Sequence, residues 1–385
     1  MTADFDEALL DDPQRLVQRD EQGLLWALAT AGAQVRRAVE TVGDFGIERL
    51  RGTDMPRAML VATDSAPSSG SRLITRLSCT RTPALTWHGV ELPRWAGPAD
   101  ALLIGSVDGR HPRLAELAAQ GAQRGLAMAV VAPAGTEVAV AAGRAPLHEL
   151  PRDLHARAAR WSVLTPLLQT LEVLGVNPIP ASLLVEVADA LDEKAEVCKP
   201  DGDAFTNPAK ALAIEFATAT PLLVGAGALA GVAARAISDA LQQFAGVSSV
   251  SVSLPDGVGR AGALLRGAGP ASVSDFFRDR VEEPAAAARP RLLVVGDDGS
   301  ADDMLLGDRS DAQIQLDEVA ARRAAAALHD LAANLGLRSS TVDVPNGDPL
   351  ARFAAAAAFG EFTAAYLALG LGLDPGSRGP AERAH

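Results

Sequence analysis

The stretch PLLVGAGALAGVAARAISDALQQ, Pro221–Gln243, decides the fold. Pro221–Val224 is a short unbroken apolar run and predicts a buried strand. Gly225, Ala226 and Gly227 predict a turn, and Ala228–Gln243 a helix. The surrounding segment Phe216–Ala234 carries no charge. It also contains Pro221, Gly225, Gly227 and Gly231, which suit a strand, a glycine turn and a helix better than a membrane span. Outward on the C-terminal side, the same alternation continues. Ser248–Leu254, Arg291–Val295 and Ser339–Val344 predict strands, and Leu316–Leu335 and Leu350–Leu373 predict helices. Short buried strands that alternate with helices predict a parallel sheet.

A second, similar half lies on the N-terminal side. Ala58–Ala62, Ala101–Ile104 and Ala127–Val131 are short apolar runs, and Leu114–Arg124 is helix-like. Arg157–Leu174 predicts a connecting helix. Ala190–Asp203 is polar and predicts a linker or surface loop. The first fifty residues predict helix, because Leu24, Leu28, Val35, Val39 and Val42 fall on one apolar face. Gly296–Asp311 holds six acidic residues and predicts a solvated loop.

Composition narrows the function classes. The 385 residues suit two domains, with 48% hydrophobic and 22% charged residues. A net charge of −13 argues against nucleic-acid binding through a broad basic face. The lysines are Lys194, Lys199 and Lys210, which leaves little room for a Schiff base. Cys79 and Cys198 form no CxxC pair, so neither a thiolate zinc site nor a disulfide framework is expected. The six histidines show no metal-ligand spacing, and no GxSxG elbow occurs. Met1–Asp20 is acidic and lacks an apolar leader, which predicts a cytoplasmic protein.

Three turns are candidates for anion binding. Gly225–Ala230 fits the loose dinucleotide fingerprint, but Asp256 stands about ten positions beyond the place of the ribose-binding acid. Simple helix packing, a sugar-phosphate role and a dinucleotide role all remain open for it. Ser65, Ser68, Ser69 and Ser71 follow the first strand and suit either helix capping or an anion site. Gly105–His111 follows the second apolar run. It reads as a phosphate cradle or as an ordinary turn capped by Asp108, whose charge would repel a dianion.

A resemblance gives these turns a context. Asn207-Pro-Ala-Lys-Ala-Leu-Ala213, Pro221-Leu-Leu-Val-Gly-Ala-Gly227 and Gly231-Val-Ala-Ala-Arg-Ala-Ile237 resemble the second half of bifunctional phosphoglucose/phosphomannose isomerases. Glu91–Pro98, Asp348–Arg352 and Tyr366–Pro375 extend the similarity to about Asp44–Pro375, with the actinobacterial TobH-like subgroup nearest in pattern. The resemblance implies two sugar isomerase (SIS) domains: an α/β fold of two flavodoxin-like parallel-sheet sandwiches. The implied division is an N-terminal helical segment 1–50, a first domain 51–155, a connecting helix and linker 156–205, and a second domain 206–385.

The family isomerises aldose and ketose phosphates through an enediolate, using a glutamate and a histidine. In this chain the glutamate position falls on Gln242 and the histidine position on Gly259. An amide cannot act as a general base, and losing a positioned acid or base typically costs about 10²–10⁴ in rate. The family's SYSGNT loop reads Ser106-Val-Asp-Gly-Arg-His111, so a serine has become Asp108 and the threonine His111. The glycine-rich loop, here Thr63–Ser69, lacks its glycines, and a lysine near the C-terminus has no counterpart. Ser106 and Gly109 persist, and Arg160 stands where the family has an arginine beside the sugar. A solvent role at a helix start is the other reading of Arg160.

The resulting expectation is a non-catalytic, sugar-phosphate-binding homologue. It would act as a homodimer and touch the ligand through Ser65, Ser68, Ser69, Ser106, Gly109, Arg160 and Gln242, with no catalytic residue, metal, cofactor, nucleic acid or membrane. An active isomerase with a rearranged site and a dinucleotide-binding protein are the alternatives.

Overall fold

The computed structural model describes residues 5–52, 54–64, 68–78, 82–267, 288–296, 311–344 and 346–377. Short helices open the chain: α1 (Glu7–Leu10), α2 (Pro13–Arg19), α3 (Leu24–Ala29), α4 (Ala31–Glu40) and α5 (Val42–Phe45), followed by a 3₁₀ turn at Ile47–Leu50. The first domain comprises β1 (Met59–Thr63), α6 (Ser68–Leu77), β2 (Ala84–Thr86), β3 (Ala101–Gly105), α7 (Pro112–Arg124), β4 (Ala127–Ala132), α8 (Glu137–Ala141) and β5 (Leu147–Glu149). Two helices connect the halves, α9 (Arg160–Val173) and α10 (Ala181–Val197). The second domain comprises α11 (Pro208–Ala217), β6 (Ala219–Ala226), α12 (Ala228–Ala245), β7 (Val250–Leu254), α13 (Val258–Gly267), β8 (Arg289–Gly296), α14 (Asp311–Asn334), β9 (Ser339–Val342) and α15 (Pro349–Gly370).

Both sheets are parallel, in the orders β2-β1-β3-β4-β5 and β7-β6-β8-β9. The central strands are apolar throughout because both faces are covered. Alternate residues split between two cores. Met59, Val61, Leu103 and Val131 join the large central core, while Leu60, Ala62, Leu102, Ile104 and Val130 join an outer core under α7 and α8. The second sheet repeats this arrangement, with Leu223, Leu293 and Val295 turned inward and Leu222, Val224 and Leu292 turned toward α14. The two inward faces share one core, filled by α9–α12 and α15. This explains α15, which is long and apolar enough to cross a membrane yet has its whole apolar window buried inside the protein.

Caps fix the helix starts of the second half. Asn207 accepts from the N–H groups of Ala209 (3.0 Å) and Lys210 (3.2 Å), with Pro208 at the first helical position. Asp348 and Pro349 do the same for α15.

Two sequence expectations change. Ala190–Asp203 is not a linker throughout, because α10 continues to Val197. Its residues Val187, Ala188, Ala190, Leu191 and Lys194 bury one face, and the polar residues are the outer face of the same helix. The apolar stripe from Leu24 to Val42 is present, but Thr30 and Thr41 interrupt it between α3, α4 and α5. The edge strands β2 and β5, of three residues each, lack a long apolar run and escaped the periodicity reading.

His148 on β5 packs edge-on against Phe45 of α5, with ring centroids 5.4 Å apart. Burial, aided by Arg37, pushes its imidazole down to about 4 from 6.5. The folded state therefore resists a proton that the unfolded chain accepts. This contribution is complete above pH 6.5 and is lost as pH falls from 6.5 to about 4, a loss of about 3 kcal/mol. Urea midpoints at pH 7 and pH 4.5 should converge more for His148→Gln than for wild type. Equal acid sensitivity in both proteins would refute the assignment.

Candidate phosphate loop at the first-sheet switch point

In the order β2-β1-β3-β4-β5, successive strands leave β1 in opposite directions, so the crevice between the C-terminal ends of β1 and β3 is the ligand position for such a sheet. The turn after β3 holds Ser106–His111. Ser106 is fully buried. Gly109 has φ +67°, and a Cβ there would sit 2.1 Å from Thr136 Oγ1, so only glycine fits.

Four of the loop's amides are already engaged. Ser106 N–H donates to Val131 O (2.9 Å). Val107 N–H donates to the Asp64 carboxylate at the end of β1 (2.7 Å). Gly109 N–H donates to Ser106 Oγ (3.1 Å), and Arg110 N–H to Asp108 Oδ1 (3.0 Å). The following helix α7 opens on Pro112, which brings no N–H. Two carboxylates of the chain thus stand where an anion would be cradled.

Arg113 does not reverse this. Its guanidinium donates to Trp87 O (3.0 Å) and Thr63 O (2.9 Å). Burial pushes its pKa below the ordinary value, with Asp64 partly opposing.

The other expected ligand residues lie as follows. Ser65 is outside the described residues. Ser68 and Ser69 form the first turn of α6. Arg160 opens α9, but it is buried and neither solvated nor in the loop. It pairs with Glu361 of α15 at 2.7 Å (Nη2–Oε1) and 2.9 Å (Nε–Oε1). Gln242 is exposed near the end of α12, and its amide donates to Ser238 Oγ (3.0 Å). Gly259 lies in the first turn of α13 with open space where a Cβ would go. Asp239, one turn before Gln242, is held by Arg235 (2.8 Å). The structure therefore joins Ser106 and Gly109 in one turn, while Arg160 and Gln242 bond elsewhere. Sequence reasoning missed Asp64, whose signal was an acid directly after a strand in the loop facing the expected cradle.

At the matching switch point of the second sheet, Gly225 is required for close packing. A Cβ there would lie 2.3 Å from Ala230 O. The described residues leave a cavity of about 10 Å³ between the start of α12, Gly296 and Arg352. That enclosed volume is about one water's worth. The glycine turn serves packing of α12 on β6. The acidic segment 297–310 lies outside the described residues, as does Cys79. Cys198 is buried, and burial pushes its thiol up to about 12, which makes it unreactive.

Comparison with known proteins agrees with this architecture. Residues 205–383 match the family model described as the bacterial phospho-glucose isomerase C-terminal SIS domain. No curated protein matches the sequence. Among solved structures, a hypothetical protein from Thermus thermophilus is similar at TM-score 0.66 and 14% identity, covering 98% of this chain and 93% of that one. A putative phosphosugar isomerase from Bacillus subtilis is similar at TM-score 0.54 and 16% identity, covering 91% and 97%. Tagatose-6-phosphate ketose/aldose isomerase from Escherichia coli is similar at TM-score 0.57 and 12% identity, covering 94% and 96%. At these identities the structures establish the fold: two SIS-type parallel-sheet domains with an N-terminal helical segment.

Proposed function

We propose that this chain is a non-catalytic homologue of the phosphoglucose/phosphomannose isomerases, of the TobH-like kind. In this reading it is a cytoplasmic homodimer that binds a hexose phosphate weakly and regulates sugar-phosphate, specifically mannose, metabolism. The observation that carries the reading is the loop after β3, where Val107 N–H is given to Asp64 and Arg110 N–H to Asp108. An incoming phosphate competes with a carboxylate already hydrogen-bonded in its place, and like charges at short range repel.

The missing proton-handling groups support the same reading. Gln242 carries no titratable proton, and Gly259 carries no side chain. Glu361, a buried carboxylate near the family's arginine position, is committed to Arg160.

Two measurements test the proposal. Purified protein should neither interconvert glucose 6-phosphate and fructose 6-phosphate nor exchange the C2 hydrogen with solvent, and turnover lost on Gln242→Ala would overturn it. Asp64→Asn keeps an acceptor for Val107 but removes the charge. It should tighten mannose 6-phosphate binding by at least about tenfold in calorimetry. Unchanged affinity would mean that Asp64 does not guard the loop. Light scattering at two concentrations tests the dimer.

A further inference from the structure

A cleft lined by described residues lies away from the loop after β3. It measures about 940 Å³ and runs between helices α3–α5 and the segment from β5 to the start of α9. That volume suits a small ligand.

Several polar side chains lining it are already satisfied. Thr30 donates to Ala27 O, and Gln34 accepts from Ser162 N–H and Oγ while donating to Ala158 O. Trp26, Arg37, Asp44, Glu149 and Asp153 also line the cleft; they are exposed and form no side-chain hydrogen bond or ion pair among the described residues. Trp26 is 77% exposed, an unusual state for an indole. No group of metal-binding side chains occurs among the described residues, so the carboxylates do not mark a cation site.

The chemistry of these five groups selects a ligand. The carboxylates accept only, and the guanidinium donates only. A hydroxyl does both. A ring bearing several hydroxyls can donate to Asp44, Glu149 and Asp153, accept from Arg37, and lay its C–H face on the Trp26 indole. A phosphate dianion would meet three carboxylates against one cation. A cationic ligand would leave the Arg37 donors unmatched and be repelled by them.

We propose that this cleft binds an uncharged polyhydroxylated ring, a neutral glycoside or short oligosaccharide. The site is distinct from the loop after β3, and the proposal does not depend on whether that loop binds a sugar phosphate.

Tryptophan fluorescence and calorimetry on the full chain test it, with methyl α-D-mannopyranoside, methyl α-D-glucopyranoside and maltotriose as probes. Mannose 6-phosphate and spermidine serve as the anionic and cationic arms. At least one neutral probe should bind at millimolar concentration. Trp26→Ala should weaken that binding by about tenfold or more, Trp26→Phe should restore part of it, and Arg37→Gln should weaken it with an unchanged urea midpoint. All of these side chains are exposed, so the variants are expected to fold. The proposal is overturned if no neutral probe binds, if Trp26→Ala binds as wild type does, or if either charged probe is preferred at this cleft. It is also overturned if Trp26→Ala dissociates a dimer, since the cleft is then a protein interface.

Discussion

Lys210→Met is expected to destabilise the protein by about 3–5 kcal/mol. The Lys210 ammonium is fully buried. It donates to three backbone carbonyls, Leu10 O (2.6 Å), Pro200 O (2.7 Å) and Gly202 O (2.5 Å), and lies 5.4 Å from the Tyr366 ring centroid. This one side chain ties the end of α1 and the loop after α10 to α11 and α15. Tyr366 adds a second tie to that loop by donating to Cys198 O (2.6 Å). Burial lowers the lysine pKa, and Asp11, Asp201 and Asp203 partly oppose this. Methionine fills similar space but leaves the buried Leu10 carbonyl and the part-buried Pro200 and Gly202 carbonyls without their donor. Lys199→Met is the control. Lys199 is exposed and pairs with Glu196 three residues away, so its loss should leave the urea midpoint close to that of wild type. Urea unfolding of the three proteins measures both values. A change below about 1 kcal/mol for Lys210→Met would mean the carbonyl cluster finds other donors.

The second large effect concerns Arg160 and Glu361. Both side chains are buried, at 8% and 7% exposure, and they join α9 to α15 at 2.7 Å. Arg160→Met leaves the Glu361 carboxylate buried without its cation, and a loss of about 3–5 kcal/mol is expected. Glu361→Leu alone takes the carboxylate away from the buried guanidinium and should also destabilise the protein. The double variant removes both charges and should recover most of the loss, because an apolar pair of similar volume often equals a buried ion pair. A thermodynamic cycle over the four proteins gives the coupling directly. Additive losses would show that the two groups do not depend on each other. Mannose 6-phosphate affinity of a folded double variant supplies a second readout. Unchanged affinity is expected, since Arg160 is spent on α15.

The two pairings share a property that explains why they were invisible at first reading. Lys210 and Leu10 are 200 positions apart, and Arg160 and Glu361 are 201. No periodicity links them. The motif Asn207-Pro-Ala-Lys210 could be read as a helix start, because a cap and a proline act within a few residues. What the lysine reaches could not be read. Arg160 was expected to face a sugar or solvent and instead faces a glutamate on the last helix.

The chain's local chemistry determined much of this protein by itself. Unbroken apolar runs marked the central strands, because a parallel strand is buried on both faces. The glycine turn at Gly225–Gly227 and the helix after it followed from the same pattern, and the resemblance put Gln242 and Gly259 where a base and an imidazole were expected. Tertiary structure decided the rest. Ser106 and Gly109 were legible as one turn, but the partner of that turn, Asp64, comes 43 positions before Val107 and meets it only because β1 and β3 are neighbours in the sheet. The exposed groups of the cleft, from Trp26 to Asp153, gather only when the N-terminal helices dock on the β5 edge. Local order depends on neighbours a few residues away and is written in spacing. Which carboxylate fills a loop, or which cation a core encloses, depends on how distant segments pack, and that is settled only by the folded chain as a whole.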